Sequence, residues 1–240
     1  LAQLRLYADT LITRVNEKIN FSEDEMDIKN SGLFTGYFFS AVARYMWAAY
    51  WALEPDQPGG VINVSPLIPD TQLYNDALSR LDEALNYASD AQKPMIYTMK
   101  ARIHMILGEY TLAKTAADMG MTSADAPFSA LYNTIENNYW YYWSGPGRTQ
   151  FHIDPRFNDY VTDNPQEAAR IPIYQIPAGE VYSDVTYYQQ AKYTSISAGI
   201  EFLTWEENHL MLAELAIRDN DDAGGLALVN EVRAAYGIDD

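Results

Sequence analysis

Cysteine is absent from this 240-residue sequence, which excludes disulfide frameworks, thiolate zinc sites and cysteine nucleophiles. Positive charge is scarce: 16 lysines and arginines stand against 33 aspartates and glutamates, a formal net charge of −17. Phosphate contacts need a basic face, so the balance argues against nucleic acid as a partner. It argues equally against charge-driven docking on anionic lipid head groups, while neutral or cationic ligands stay open. No uninterrupted apolar run reaches about 18 residues, so no segment reads as a membrane-spanning helix. Neither a Gly-x-Ser-x-Gly elbow, a phosphate loop nor a dinucleotide fingerprint occurs. The sequence starts at Leu1 with no signal-peptide pattern, as in a processed or truncated piece.

What is present describes a folded chain, with 48% hydrophobic and 20% charged residues. Its organising stretch is 94–119. Met95, Met99, Ile103, Ile106 and Leu107 recur at helical spacing and predict one apolar stripe. Pro94 suits a first helical turn, because its missing amide hydrogen would have had no partner there. Gly108 stops the helix, Glu109 and Tyr110 turn the chain, and 111–119 starts a second helix. Small Ala113, Ala116 and Ala117 let the two lie close, the turn of a tetratricopeptide-type hairpin.

Other helices follow the same logic. Residues 1–20 carry Leu4, Leu11, Val15 and Ile19 on a stripe, and the acidic patch 22–27 reads as a solvated loop rather than a calcium site. Residues 33–53 are rich in aromatics nearly all round, including Phe34, Tyr37, Phe38, Tyr45, Trp47, Tyr50 and Trp51, so the helix is expected to be buried on several sides. A second aromatic platform at Trp47, Tyr50 and Trp51 is conceivable, but a core role is the simpler reading. Pro55 ends the helix, and 55–69, with Pro58, Gly59, Gly60, Pro66 and Pro69, reads as an extended connection. Asp70 is expected to cap a helix whose buried stripe is Leu73, Ala77, Leu78, Leu81, Leu85 and Ala88. Ala77 and Ala113 are 36 residues apart, near the roughly 34-residue tetratricopeptide period. Helices 33–53 and 70–88 thus form one hairpin and 94–107 with 111–119 a second.

Helical periodicity then stops. Residues 126–197 hold ten of the 19 tyrosines and scattered Pro and Gly, predicting loop with a few short strands. Ordered loops of this length are usually functional. Helical order returns near Phe202, with Leu203, Leu210, Met211, Leu215 and Ile217 on one side, Thr204 as cap, and Glu206 and Glu207 in the first turn. Residues 219–225 turn the chain, and 226–236 form a partner helix closed by Gly237. The expected fold is mainly α: one domain over 1–240, with hairpins at 33–125, a loop-rich insertion at 126–200 and a hairpin at 201–240.

Several residues also line up with a known family. Tyr74, Ala77-Leu78, Leu81-Asp82 and Ala84-Leu85, then Lys100-Ala101-Arg102 with Gly108-Glu109-Tyr110, resemble two helices of SusD-like (RagB/SusD) nutrient-uptake lipoproteins. Asp154-Pro155-Arg156-Phe157 and Lys192-Tyr193 are similar to two further segments of that family. Leu212-Ala213-Glu214, the run Ala227-Leu228-Val229-Asn230-Glu231-Val232-Arg233, and Gly237 resemble a fifth. The resemblance covers about 33–237. It implies a cell-surface, outer-membrane protein that captures glycans, or sometimes peptides, without catalysis or cofactor, and delivers them to a TonB-dependent (SusC-like) barrel transporter. The family's lipid-bearing cysteine has no counterpart in this sequence, and its members extend past the Asn-x-x-Arg-x-x-x-Gly helix, so a longer protein is expected.

The sharpest local feature is 138–148. Five successive aromatics, Tyr139 to Trp143, cannot all be buried on one strand face, because alternate side chains point to opposite sides. Their rings can stack on sugar faces, with Asn138 and Arg148 hydrogen-bonding hydroxyls. The expected binding residues are Trp140 and Trp143 as platforms, with Tyr139, Tyr142, Asn138 and Arg148, and Ser144-Gly145-Pro146-Gly147 as a supporting tip. The plainer alternative is that the cluster pins the insertion onto the helices.

Other constellations carry less. Glu206-x-x-His209 has the spacing of a helical metal pair, but His104 and His152 have no matching glutamate, and a solvated first turn suffices. Asp219, Asp221, Gly224 and Gly225 resemble a calcium loop, but Asn230 stands where a bidentate glutamate is needed. Neither metal nor catalytic residue is therefore expected. An acidic glycoside hydrolase using Asp154, Asp159 or Asp163, and a tetratricopeptide scaffold gripping a protein segment, are the alternatives to glycan capture.

Overall fold

The computed structural model describes residues 1–51, 68–144, 151–180 and 184–239. The expected connection at 55–69 therefore lies mostly outside the described residues, as does the side chain of Trp51. The chain divides into two compact units, Leu1–Asp125 and Ala126–Asp240.

Among its described residues the first unit has five α-helices: α1 (Ala2–Glu17), α2 (Met26–Trp51), α3 (Asp70–Leu85), α4 (Lys93–Ile106) and α5 (Tyr110–Ala117). Packing runs in chain order, α1 on α2, α2 on α3, α3 on α4 and α4 on α5, which is the hairpin succession expected from the periodicity. Helix α1 buries Ala8, Ile12 and Val15, while Ile19 lies beyond its end and is exposed. The acidic patch is not a loop. Glu23–Glu25 form a 3-10 turn leading into α2, and the Ser22 amide donates to Glu25 Oε2 at 3.0 Å. This reciprocal cap turns acidic residues into a helix start, where negative charge is favourable.

The aromatics of α2 are consumed in packing. Phe34 stacks on Phe38 at 5.7 Å between centroids and Tyr37 on Tyr87 at 5.9 Å. Arginines from three neighbouring helices lie over α2 rings: Arg5 over Trp47 (4.7 Å), Arg80 over Tyr37 (5.8 Å) and Arg102 over Tyr45 (5.4 Å). Trp47 is thus a packing residue, while Tyr50 is exposed.

Two expectations shift by one position. Asp70 is the first residue of α3 rather than its cap, with Oδ1 accepting from the Thr71 amide at 2.6 Å; Pro69 precedes it. On α4 the buried stripe is Ile96, Met99 and Ile103 with Thr98 and Ala101, and Ile106 is exposed. Met99 and Ile103 are buried as expected, and Ile96, Thr98 and Ala101 join them because α4 has a second packing surface. Buried Thr98 Oγ1 accepts from the Met121 amide at 2.8 Å, past the end of α5. Gly108 adopts φ +73° at the α4–α5 turn, where a side chain would be strained, and Ala113, Ala116 and Ala117 are buried as expected.

The second unit contains α6 (Tyr139–Ser144), α7 (Arg156–Asp163), α8 (Trp205–Arg218) and α9 (Asp222–Ala235), with four short strands. Strand β1 (Phe128–Ala130) pairs antiparallel with β4 (Ile200–Leu203), and β2 (Ile173–Ile176) with β3 (Tyr187–Gln190). Thr204 caps α8, accepting from the Glu207 amide at 3.2 Å, as the sequence predicts. Leu203, Met211 and Leu215 are buried, but Leu210 and Ile217 are exposed. Helix α9 begins at Asp222, four residues before the expected start, because Asp221 Oδ1 accepts from the Gly224 amide at 2.9 Å. The Asp221 carboxylate thus serves as the cap of α9. Gly237, at φ +69°, closes α9.

Candidate functional site

The aromatic run of the second unit, weighed above as a strand, is the helix α6. Its cap overrides the strand preference of consecutive aromatics. Asn138 Oδ1 accepts from the Tyr141 amide (3.1 Å), and the Asn138 carbonyl from the Tyr142 amide (3.1 Å). At the other end the Ser144 hydroxyl donates back to the Trp140 carbonyl at 2.5 Å.

The helical form decides which rings are presented. At about 100° per residue, Tyr139, Trp143 and Trp140 fall within an arc of about 100°. These three are the exposed rings, at 66%, 37% and 57%. Tyr141 and Tyr142 lie on the other side and are half-buried. Tyr142 meets Tyr139 edge-on at 6.5 Å and Trp143 edge-on at 5.3 Å, so it braces two of the presented rings from behind. Trp140 and Trp143 therefore share one face with Tyr139, and Tyr142 contacts Tyr139 and Trp143.

Asn138 has a different place from the one its sequence position suggested. It is fully buried. Its Nδ2 donates to the Ala198 carbonyl at 2.8 Å, and its backbone amide to the Ile196 carbonyl at 2.7 Å. With donors and acceptor engaged inside the protein, it cannot reach a ligand hydroxyl; it fixes α6 to the 196–198 segment. That segment leads into β4, whose last residue, Leu203, is buried just before the α8 cap. Sequence reasoning missed this clamp, although an Asn before a helix is a known capping signal. Arg148 and residues 145–147 of the expected tip lie outside the described residues.

Further apolar side chains are exposed in the same unit. Leu131 and Ile135 flank a turn in which Asn133 Oδ1 accepts from the Ile135 (2.7 Å) and Glu136 (2.9 Å) amides. On α7, which buries none of its residues, exposed Phe157 and Tyr160 meet edge-on at 6.0 Å.

Of the carboxylates weighed for catalysis, Asp154 is engaged locally. Asp154 Oδ1 accepts from the Arg156 amide at 2.9 Å and pairs with the Arg156 side chain at 3.1 Å, which holds its carboxyl below the usual range. His209 does not pair with Glu206. Its Nδ1 faces the Trp205 carbonyl at 3.2 Å and its Nε2 faces Glu231 on α9 at 3.3 Å. Among the described residues, no group of three potential ligands is placed to hold a metal ion.

Known structures share this arrangement of helices and strands. A SusD superfamily protein from Bacteroides vulgatus superposes with a TM-score of 0.71 at 13% identity, covering 99% of this chain and 65% of its own. The chain has the SusD fold. A laminarin-binding SusD-like protein also shows it, with a TM-score of 0.69 and 12% identity over 99% of this chain and 69% of its own. So does a chitin-binding protein, at 0.61 and 16%, over 98% of this chain and 62% of its own. The chain spans 62% to 69% of the length of these structures. No family model and no curated protein matches the sequence.

Three motifs behind the resemblance have local structural work in the SusD fold. Asp154 accepts from the amide of Arg156, the first residue of α7, and Lys192 pairs with Glu201 of β4 at 3.3 Å. Arg233 donates to Asn230 Oδ1 at 3.3 Å and to the Asp239 carbonyl, clasping the end of α9.

Proposed function

We propose that this chain captures a glycan at the cell surface, without making or breaking a bond, and presents it to a TonB-dependent SusC-like barrel in the outer membrane. The observation that carries this reading is the α6 face, where Tyr139, Trp140 and Trp143 stand exposed within one arc and are held by a buried clamp. Exposed rings tied to a rigid support suit stacking on the apolar faces of sugars, because little order is lost on binding. Solved proteins of the same fold include ones that bind laminarin and chitin. No helix among the described residues is long and apolar enough to cross a bilayer.

Calorimetry or affinity electrophoresis against a panel of soluble glycans tests the reading, comparing the native chain with Trp140→Ala/Trp143→Ala. Buried tryptophans at binding surfaces contribute about 2 kcal/mol each, roughly thirtyfold in affinity. Binding without product, lost in the double variant, is the expected result. Sugar release would identify a hydrolase, and silence across the panel with both proteins folded would favour a protein-binding scaffold.

A further inference from the structure

We infer that the glycan taken on the α6 face is uncharged, and that the unit carrying this face rejects polyuronates and sulfated glycans through its charge. The inference rests on the glycan-capture reading above. Residues 126–240 hold 17 acidic and 6 basic residues, a net of −11, whereas residues 1–125 hold 16 and 10, a net of −6. Most of the chain's negative charge therefore lies on the unit that presents the rings.

The distribution of cations sharpens this. Acidic sugars and sulfates are bound by Arg and Lys through charge-assisted hydrogen bonds. Of the cations described in this unit, four already hold a carboxylate: Arg156 with Asp154 (3.1 Å), Arg170 with Glu167 (2.7 Å), Lys192 with Glu201 (3.3 Å) and Arg218 with Glu214 (2.7 Å). The fifth, Arg233, is committed to Asn230 and the Asp239 carbonyl. Arg148, the sixth, lies outside the described residues; one cation among 17 carboxylates does not reverse the sign of the field. A polyanion approaching this unit thus meets net like charge, and each described cation already has a partner. A neutral chain meets apolar rings without that repulsion. Such selection by repulsion needs no dedicated contact.

The test uses the full chain with laminarin, chitin oligosaccharide and xylogluco-oligosaccharide as neutral probes, and alginate, polygalacturonate and heparin as anionic ones. Calorimetry at about 0.01 M and about 1 M NaCl sets the Debye length near 30 Å and near 3 Å. The expected result is a neutral probe whose affinity stays within about twofold across salt, and anionic probes at least about tenfold weaker at low salt. Glu136→Lys, three residues before Tyr139, should raise anionic binding at low salt and leave neutral binding unchanged. An anionic probe that binds native protein as tightly as the best neutral one at low salt overturns charge selection while leaving glycan capture standing. Failure of every probe, neutral and anionic, overturns glycan capture and this inference with it.

Discussion

The side-chain amide of Asn138 donates to the carbonyl of Ala198 at 2.8 Å, bridging sixty residues of chain. The same side chain caps α6 through its oxygen. One buried residue therefore sets both the start of the aromatic helix and its attachment to the segment leading into β4.

Asn138→Ala should destabilise the second unit and weaken ligand binding without removing any ligand contact. A lost cap costs about 1 kcal/mol, and the Ala198 carbonyl left without its donor costs about 1–3 kcal/mol more. Asn138→Ser keeps a capping oxygen but cannot span to Ala198, so it should fall between native and alanine variants. Tryptophan anisotropy reports whether the rings have been loosened. Unchanged anisotropy and affinity in Asn138→Ala would show that α6 is positioned by something else.

Gly225 offers a test of helix spacing. In a helix interior, alanine is normally preferred to glycine by about 1 kcal/mol. A Cβ at Gly225, however, would stand 2.7 Å from Ile217 Cγ1 and 3.0 Å from the Ala213 carbonyl oxygen, because α8 and α9 approach closely there. Overpacking of this kind costs about 1–3 kcal/mol. The expected outcome of Gly225→Ala is a fall of a few degrees in Tm, at about 2–4 °C per kcal/mol for a chain of this size. A rise would mean that propensity dominates and the helices sit further apart.

The fold was legible in the sequence wherever periodicity, small residues and caps agree. The α4–α5 hairpin shows this through Gly108, Ala113 and Ala117, and α8 through Thr204. Legibility failed where two surfaces compete for one helix. On α4 Met99 and Ile103 are buried as the stripe predicts, but Ile96 and Thr98 are buried beside them, and Thr98 receives a bond from Met121. The site was half legible. Consecutive aromatics announced presented rings at Trp140 and Trp143, yet alternation was the wrong geometry, since a strand and a capped helix differ by one side chain, Asn138. Its partners at 196–198 are distant in sequence, and no local pattern points to them.

Asp9 links α1 to α2 and makes stability pH-dependent. Its carboxylate accepts from Ser40 Oγ at 2.6 Å and from both Arg44 nitrogens, at 3.2 and 3.0 Å. Burial pushes its pKa up, but the Arg44 and Ser40 hydrogen bonds outweigh that and hold it below the ordinary value. A depressed carboxylate contributes stability that is fully present above the unfolded pKa of about 3.9, and lost as pH falls through the lower folded value. Asp9→Asn should therefore cost about 1 kcal/mol at neutral pH, a figure kept low because the group is partly open to solvent. The gap to native should begin to narrow below about pH 4 and close once the pH is under the lower folded value. Urea melts at neutral pH and near pH 3 measure it, and a gap that does not change would show that the ionic bond contributes nothing.

The exposed rings should separate affinity from stability, and Tyr142 should separate presentation from contact. Trp140 is more than half exposed, so Trp140→Ala removes stacking surface while leaving Tm within about 2 °C, less than about 1 kcal/mol of folding energy. Tyr142 touches Tyr139 and Trp143 by its edge, contacts worth about 0.5–1.5 kcal/mol each. Tyr142→Ala should lower both Tm and affinity, because two presented rings lose their brace. Tyr142→Phe keeps the ring edges and should retain both. If Tyr142→Phe loses affinity at native Tm, the phenol hydroxyl contacts the ligand, and Tyr142 belongs to the binding face rather than behind it.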